Sequence, residues 1–363
     1  MRIVQYHPRA LVGDGGISNS VRRLSAAMVA AGADVVIAHQ AGPTSSPFAA
    51  DAGDARWQPV RHVGMRGVQV PMGLHRVLDG ADVLILNSAW TAHNVRAGAV
   101  ATARGVPYVV ADRGAYDPLI LDRRRRVKRV WWHLLERRLV HRARALHVFF
   151  ASQEGLVRRL GFDGELIVAP NGVIAPGGGG WDGGSGGAVV FIGRFDPEHK
   201  GLDLLVRAVA SLPVDERPQI RMHGPDWRGG KAELETLVDA LALRPWVHIS
   251  QPVYGEEKWG LLRTAAGFAY PSRWEAFGNS TAEAAALGVP VLVTGYPLGR
   301  YLADHGGAML AETTVEGLAD GLRRLQGPDA AATGLRASQL VEDAFSWDAV
   351  ARDWLAQLDG MLS

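Results

Sequence analysis

Pro271-Ser-Arg-Trp-Glu275-Ala-Phe-Gly278-Asn-Ser-Thr-Ala-Glu283-Ala-Ala-Ala-Leu-Gly288-Val-Pro290-Val decides how this chain is read. Phe268–Tyr270 just before it reads as a strand, and Val289–Val293 at its end reads as the next one. The residues between make a glycine-containing turn and a short helix, Thr281–Leu287. A strand that returns through a helix calls for a parallel sheet. Ser280 or Thr281 is placed to cap the helix. Glu275 then falls in the loop before the helix and Glu283 in its first turns, where unpaired backbone N–H groups offer a seat for an anion.

The same alternation extends in both directions. Upstream within the second half, Val189–Ile192, Gln219–His223 and Val247–Ser250 read as strands, separated by helical stretches at Leu202–Ser211, Ala232–Leu241 and Glu256–Ala266. In the first half the strand runs are Ile3–Tyr6, Asp34–Ala38, Val83–Asn87, Tyr108–Ala111, Leu146–Phe149 and Leu166–Ala169, with helices such as Ser18–Ala31 and Trp90–Arg104 among them. Short apolar runs alternating with amphipathic helices predict α/β domains with both sheet faces covered. From Pro176 to Gly187 eight of twelve residues are glycine, which reads as a flexible linker. Two domains are therefore expected, each with a parallel sheet, and a ligand cleft at the carboxyl ends of their strands. Phe345–Leu362 closes the chain as an amphipathic helix with Trp347, Val350, Trp354, Leu358 and Met361 on one face.

Composition narrows the function. The chain has 363 residues, 47% hydrophobic and 21% charged, which suits two globular domains. A net charge of +2 gives no general affinity for nucleic acid. The absence of cysteine excludes disulfides, thiolate nucleophiles and Cys-ligated metal centres. No stretch approaches the roughly 20 apolar residues of a membrane span, and the opening Met1-Arg-Ile-Val-Gln-Tyr enters a strand without a leader pattern, so a cytoplasmic protein is expected.

Two further segments carry chemistry. Val189-Val-Phe-Ile-Gly193-Arg194-Phe-Asp-Pro-Glu-His-Lys200-Gly201 ends a strand at glycine and follows it with two cations spaced to face one cleft. Fixed cations can stabilise a departing diphosphate in place of a divalent metal. Gly13-Asp-Gly15-Gly16-Ile-Ser18 lies between the first strand and its helix and lets the backbone approach a phosphate closely. It is not Gly-x-Gly-x-x-Gly, so a nicotinamide oxidoreductase is the poorest fit.

The segment from Glu275 to Glu283 resembles the Glu-x7-Glu motif of retaining glycosyltransferase family 4 (group 1), whose GT-B fold has two Rossmann-like domains facing across a cleft. The resemblance extends over nearly the whole chain. Arg194 and Lys200 are similar to that family's diphosphate-binding pair, and Gly13–Ser18 to its first glycine loop. Ala169-Pro-Asn171-Gly172-Val173 and His223-Gly224-Pro225 resemble two of its turns, and Tyr254-Gly255 lies where base-binding backbone is found. The last helix is similar to the one that crosses back to the N-terminal domain.

The resemblance implies an acceptor-side domain over residues 1–175, a linker over 176–187, a nucleotide-sugar domain over 188–344 and the crossover helix over 345–363. It implies retaining, metal-independent transfer from a nucleotide-diphosphate sugar, a substrate rather than a cofactor. Glu275 would bind donor-sugar hydroxyls and Glu283 the ribose. Phe277, Gly278, Asn279 and Ser280 would line sugar and diphosphate, with Gly15, Gly16, Gly193, Gly224 and Tyr254 completing the donor site. Arg113 stands where many relatives carry a histidine beside the reacting sugar. A guanidinium is no base near neutral pH, but it binds anions and hydroxyls. Ser18, His93 and Asp117 are the remaining acceptor-side candidates.

The sequence does not name the acceptor; a glycan or lipid-linked sugar and a secondary metabolite such as an antibiotic aglycone are the classes to test. The basic segment Arg123–Arg144, with Trp131, Trp132, Leu134 and Leu135 interspersed, is either a solvated helix face or a seat for an anionic membrane or phosphorylated acceptor. A non-catalytic sugar-nucleotide-binding scaffold and a sugar-nucleotide epimerase are the alternatives that share the architecture.

Overall fold

The structure is a computed structural model and describes residues 1–7, 16–40, 53–65, 68–117, 120–121, 125–174, 177 and 179–363. It divides into two compact units: Met1–Gly172 with Ser346–Ser363, and Val173–Phe345.

The first unit is built on eight strands: β1 (Arg2–His7), β2 (Asp34–Gln40), β3 (Arg56–Val63), β4 (Val70–Met72), β5 (Val83–Asn87), β6 (Tyr108–Ala111), β7 (Ala145–Val148) and β8 (Glu165–Val168). Their order in the sheet is β4-β3-β2-β1-β5-β6-β7-β8, parallel throughout except for the β3–β4 hairpin. Registers such as Ile3 opposite both Val35 and Val83 bring apolar rows together across the strands. Successive residues face opposite sides. Ile3, Ile37, Ile85 and Val109 therefore pack under the helix Gly16–Ala30, while Val4, Leu84, Leu86 and Val110 build the core on the other face.

The last helix, Trp347–Leu362, belongs to this unit. Ser346 caps it by accepting from the Ala349 N–H at 3.2 Å. Its apolar stripe buries Val350, Trp354, Leu358 and Met361 in the core, with Trp354 stacked on His147 at 4.7 Å. Gln357 reads both backbone groups of Val168, donating to its carbonyl at 3.0 Å and accepting from its N–H at 2.9 Å.

The second unit has six parallel strands: β9 (Ala188–Ile192), β10 (Gln219–His223), β11 (Val247–Ser250), β12 (Gly267–Tyr270), β13 (Val291–Val293) and β14 (Met309–Leu310), in the order β11-β10-β9-β12-β13-β14. The order reverses direction at β9 and β12, and the loops leaving those two strands carry the candidate residues. Such a switch point is where open α/β sheets form a crevice.

Three strands, β3, β4 and β14, have no counterpart in the sequence reading. β3 shows solvent most of its side chains and contains Pro59, so it lacks an apolar alternation. β4 and β14 have three and two residues, too few to carry a period. The glycine run also departs from a free tether across its described residues. Trp181 donates its indole N–H to the Ala265 carbonyl at 2.6 Å, and the backbone N–H groups of Trp181, Asp182 and Gly186 bond to Leu287, Arg263 and Thr264. One large aromatic anchor and small neighbours let this backbone lie flat on the second unit.

Candidate active site

β9 ends at Gly193, whose N–H donates to the His223 carbonyl at 3.0 Å, and Phe195 donates to Pro225 at 2.9 Å. The loops after β9 and β10 thus run side by side. The approach demands glycine: a Cβ on Gly224 would lie 1.8 Å from the Gly193 carbonyl oxygen. Asp196 then accepts from the His199 N–H at 3.3 Å and caps the single turn Pro197–Lys200. Gly201 follows at φ 64°, with its α-carbon against the Pro271 carbonyl. This turn places Lys200 below the end of β12.

Lys200 is buried. Its ammonium donates to the Tyr270 hydroxyl at 2.7 Å and pairs with Oε1 of Glu275. The Ser272 hydroxyl lies 2.8 Å from the same carboxylate oxygen. Burial pushes the Glu275 carboxyl up, but Lys200, His199 and Ser272 together outweigh it and hold the group below its usual value. Lys200 is 75 residues from Glu275 in sequence, so the pair is made by the sheet and by no local motif.

Arg194 is set by a residue the sequence reading quoted without assigning. His199 donates from Nε2 to the Trp274 carbonyl at 2.8 Å, which leaves Nδ1 as an acceptor 2.9 Å from Nη2 of Arg194. Burial lowers the His199 pKa, against the opposing pull of Glu275, and the neighbouring Lys200 and Arg194 lower it further. A neutral imidazole therefore bridges the loop of Glu275 and the loop of Arg194. The guanidinium also rests on the Trp227 ring, 4.8 Å from its centroid.

The helix after the Glu275 loop runs from Asn279 to Ala286, and its cap is Gly278 at φ 102°. Neither Ser280 nor Thr281 caps it: Ser280 lies within the helix, and the buried Thr281 bonds to the Tyr296 hydroxyl at 2.8 Å. Glu283 accepts from Lys258 at 2.8 Å. Each motif carboxylate thus has its own lysine, and Lys258 was not read from the sequence because it lies in another helix, Gly255–Arg263. Phe277 is buried and meets Phe345 edge to face at 5.9 Å, so its side chain contributes to the core. Tyr254 is exposed at the start of Gly255–Arg263, and Asn279 is exposed at the start of its own helix.

The acceptor-side candidates lie in the first unit. Gly15 falls outside the described residues, and Gly16 opens the helix Gly16–Ala30. Ser18 lies 3.1 Å from Nε2 of His7 at the end of β1. His93 meets His62 ring to ring at 5.0 Å, and His62 in turn accepts from the Tyr6 hydroxyl at 2.8 Å. Arg113 is buried in a left-handed turn after β6, and Asp117 follows in the same loop, its N–H donating to the Gly114 carbonyl at 3.3 Å. Of the basic segment, Arg123 lies outside the described residues. From Arg125 to His141 it is helical, with a π turn at Trp132–Glu136. Buried Glu136 explains the turn: it gathers the Trp90 N–H, the Tyr116 hydroxyl and the Trp131 indole at 2.8–3.0 Å. Trp132 turns toward Trp90 and Tyr116, while Val127, Val130 and Leu134 face solvent at 65, 58 and 70% exposure.

Among the described residues no helix is long and apolar enough to cross a membrane, and no group of three or more metal-ligating side chains is gathered.

Two family models match, both for glycosyltransferases: "Glycosyl transferases group 1" over residues 186–327 and "Glycosyl transferase 4-like domain" over residues 15–172. Among curated proteins, a D-inositol 3-phosphate glycosyltransferase of Streptomyces coelicolor is 36% identical over 141 residues, 34% of this chain. The match spans only about a third of that relative's length, 30%. Among solved structures, sucrose-phosphate synthase from Thermosynechococcus elongatus superposes with a TM-score of 0.76 at 20% identity, over 99% of this chain and 98% of the other. The Anabaena protein HepE in complex with UDP-glucose gives 0.76 at 16% identity, over 99% and 100%. At these identities the structural likeness concerns the fold, which is that of GT-B proteins.

Proposed function

Because the chain belongs to the group 1 glycosyltransferases, we propose that it is a retaining, metal-independent glycosyltransferase acting from a nucleotide-diphosphate sugar on an acceptor hydroxyl. The observation that carries the reading is the convergence of Lys200, Arg194 and Glu275 on one histidine, His199. Two cations stand ready for a leaving diphosphate, beside a carboxylate kept ionised for sugar hydroxyls. Glu283 takes the ribose, and Gly193, Gly224 and Gly278, which carry no side chain, let the backbone of their loops come close to the phosphates.

In the transfer step the bond from the anomeric carbon to the β-phosphate oxygen breaks, and the acceptor oxygen bonds to that carbon on the same face. The departing phosphate oxygen takes the acceptor proton. Arg194 and Lys200 stabilise the negative charge that grows on the diphosphate, a contribution that preorganised cations make without rearranging during the reaction. The first unit binds the acceptor, with Ser18, His93, Asp117 and Arg113 as its candidate contacts.

A thermal-shift panel of UDP, GDP, ADP and dTDP, each with and without magnesium, tests the donor half. One nucleotide will raise the melting temperature without magnesium, by about 2.7 kcal/mol of added stability at 100 times its dissociation constant. Glu283→Ala will weaken that nucleotide roughly 10- to 100-fold, the loss of one charge-assisted hydrogen bond. A folded protein that answers none of the four would instead favour a non-catalytic scaffold.

We also propose that the helical segment Arg125–His141 contacts an anionic bilayer. Val127, Val130 and Leu134 share an exposed face among arginines, and the only carboxylate in the segment, Glu136, is turned inward. The protein will float with phosphatidylcholine vesicles only when phosphatidylglycerol is included, and less so at high salt. Serine at the three apolar positions will abolish flotation; equal flotation with neutral vesicles would reject the contact.

A further inference from the structure

Arg113 presents an electrostatic problem that its own unit leaves open. The residue is 9% exposed. All of its hydrogen bonds end on amide oxygens: Nε and Nη2 donate to Oδ1 of Asn87 at 3.3 and 2.9 Å, and Nη1 donates to Oδ1 of Asn171 at 3.4 Å. The adjacent Asp112 turns its carboxylate to the Tyr116 N–H at 3.0 Å rather than onto the guanidinium, and its pull offsets only part of the burial that lowers the Arg113 pKa. A buried cation held by neutral acceptors keeps its charge and bears its desolvation penalty. Three of the five guanidinium N–H groups are committed, which leaves one on each terminal nitrogen. Donors of this kind on a guanidinium are what an oxyanion binds.

The backbone around it is strained in the same place. Among the described non-glycine residues five have positive φ, and three of them, Ser88, Trp90 and Arg113, follow the carboxyl ends of β5 and β6. Such strain persists where surrounding structure enforces it, and it gathers at ligand sites. β5 also adjoins β1, where the strand order of this sheet reverses, the position at which α/β sheets bind ligands. A third sign is the amide of Gln5 on β1. It is fully buried, gives its oxygen to Asn87 at 2.9 Å, and leaves its own Nε2 without a partner.

We propose that Arg113 is the seat of an anionic group, phosphate or carboxylate, carried by the acceptor, with Asn87 and Asn171 orienting the guanidinium without cancelling its charge. The inference rests on the transferase reading and names the class of its second substrate: an acceptor already charged near the hydroxyl that is glycosylated. A preceding reaction must then install that group, by phosphoryl transfer or by formation of a carboxylate.

The test is melting temperature against inorganic phosphate and against acetate, each compared with chloride at equal ionic strength. Samples also contain the nucleotide that stabilises the protein in the panel above, so that the second unit is already occupied. The wild type will be stabilised by at least one of the two anions, and the anion that acts assigns the group. Arg113→Gly, which keeps the left-handed backbone and removes the guanidinium, will abolish the response. Arg113→Lys will retain a weaker one. Without added anion, Arg113→Gly will melt at or above the wild-type temperature because it removes a buried charge whose desolvation Asp112 offsets only in part, whereas a purely structural arginine would lower it. An unchanged anion response in Arg113→Gly, or no response to either anion in the wild type, overturns the proposal. If no nucleotide stabilises the protein, the same titration without nucleotide still decides the Arg113 site, so the two readings fail separately.

Discussion

Lys200→Met will leave Glu275 as a buried carboxylate without its cation, and both stability and transfer will fall further than for any other single change at this site. Breaking a buried ion pair from one side costs about 3–5 kcal/mol. Ser272 remains as a hydrogen-bond partner of Glu275, so the lower part of that range is expected in urea unfolding. Transfer will drop by roughly 100- to 1000-fold, the usual effect of removing one preorganised charge-stabilising group.

The sign of the pH dependence follows from the pairing. In the wild type Glu275 is held below its ordinary value of 4.5. It therefore contributes stability above that pH, which is lost as pH falls through the lower folded value. In Lys200→Met both lowering effects of the lysine are gone while burial still raises the group, so its folded value will move up from the wild-type one. The deficit relative to wild type is then full at neutral pH and narrows as the solution is acidified through the variant's folded value toward the wild-type one. Adding Glu275→Gln to Lys200→Met will restore much of the stability and none of the transfer. Near-normal unfolding together with near-normal transfer in Lys200→Met would refute the assigned role of this pair.

Gly224→Ala will have the second-largest effect, through geometry alone. The new Cβ would sit 1.8 Å from the Gly193 oxygen and 2.7 Å from its carbonyl carbon, so the loops after β9 and β10 must part. Overpacking of this kind costs about 1–3 kcal/mol. The displaced residue is the one before Arg194, and a shift of about 1 Å at a reacting centre can reduce turnover about 100-fold. A folded variant with a lower melting temperature, weakened nucleotide response and turnover reduced by about that factor is expected. Gly260→Ala serves as control, since its Cβ would meet nothing within 4 Å. Equal behaviour of the two variants would mean that the Gly193–Gly224 contact does not position Arg194.

Much of the architecture is legible in the chain because its causes are local. Strands such as Val83–Asn87 and Ala188–Ile192 are continuous apolar runs, since a strand buried on both faces must be apolar throughout. The last helix announces its inner face by spacing alone, and the structure buries Val350, Trp354, Leu358 and Met361 of that stripe. Glu275, Glu283, Arg194 and Lys200 could be singled out because their types and intervals accompany turns and helix starts that glycine and proline mark.

What the sequence by itself determined is therefore the order of elements, the faces they bury and the chemical types gathered at strand ends. The tertiary structure alone decided which groups meet. Lys258 takes Glu283 across 25 residues, and His199 reaches the Trp274 carbonyl across 75. The glycine run lies down on Ala265 and Thr264, and Arg113 is left among amides rather than carboxylates. Periodicity and turn chemistry act over a few residues, so they can be read along the chain. The partner of a buried charge depends on which strands become neighbours, and that is settled only when the sheet has closed.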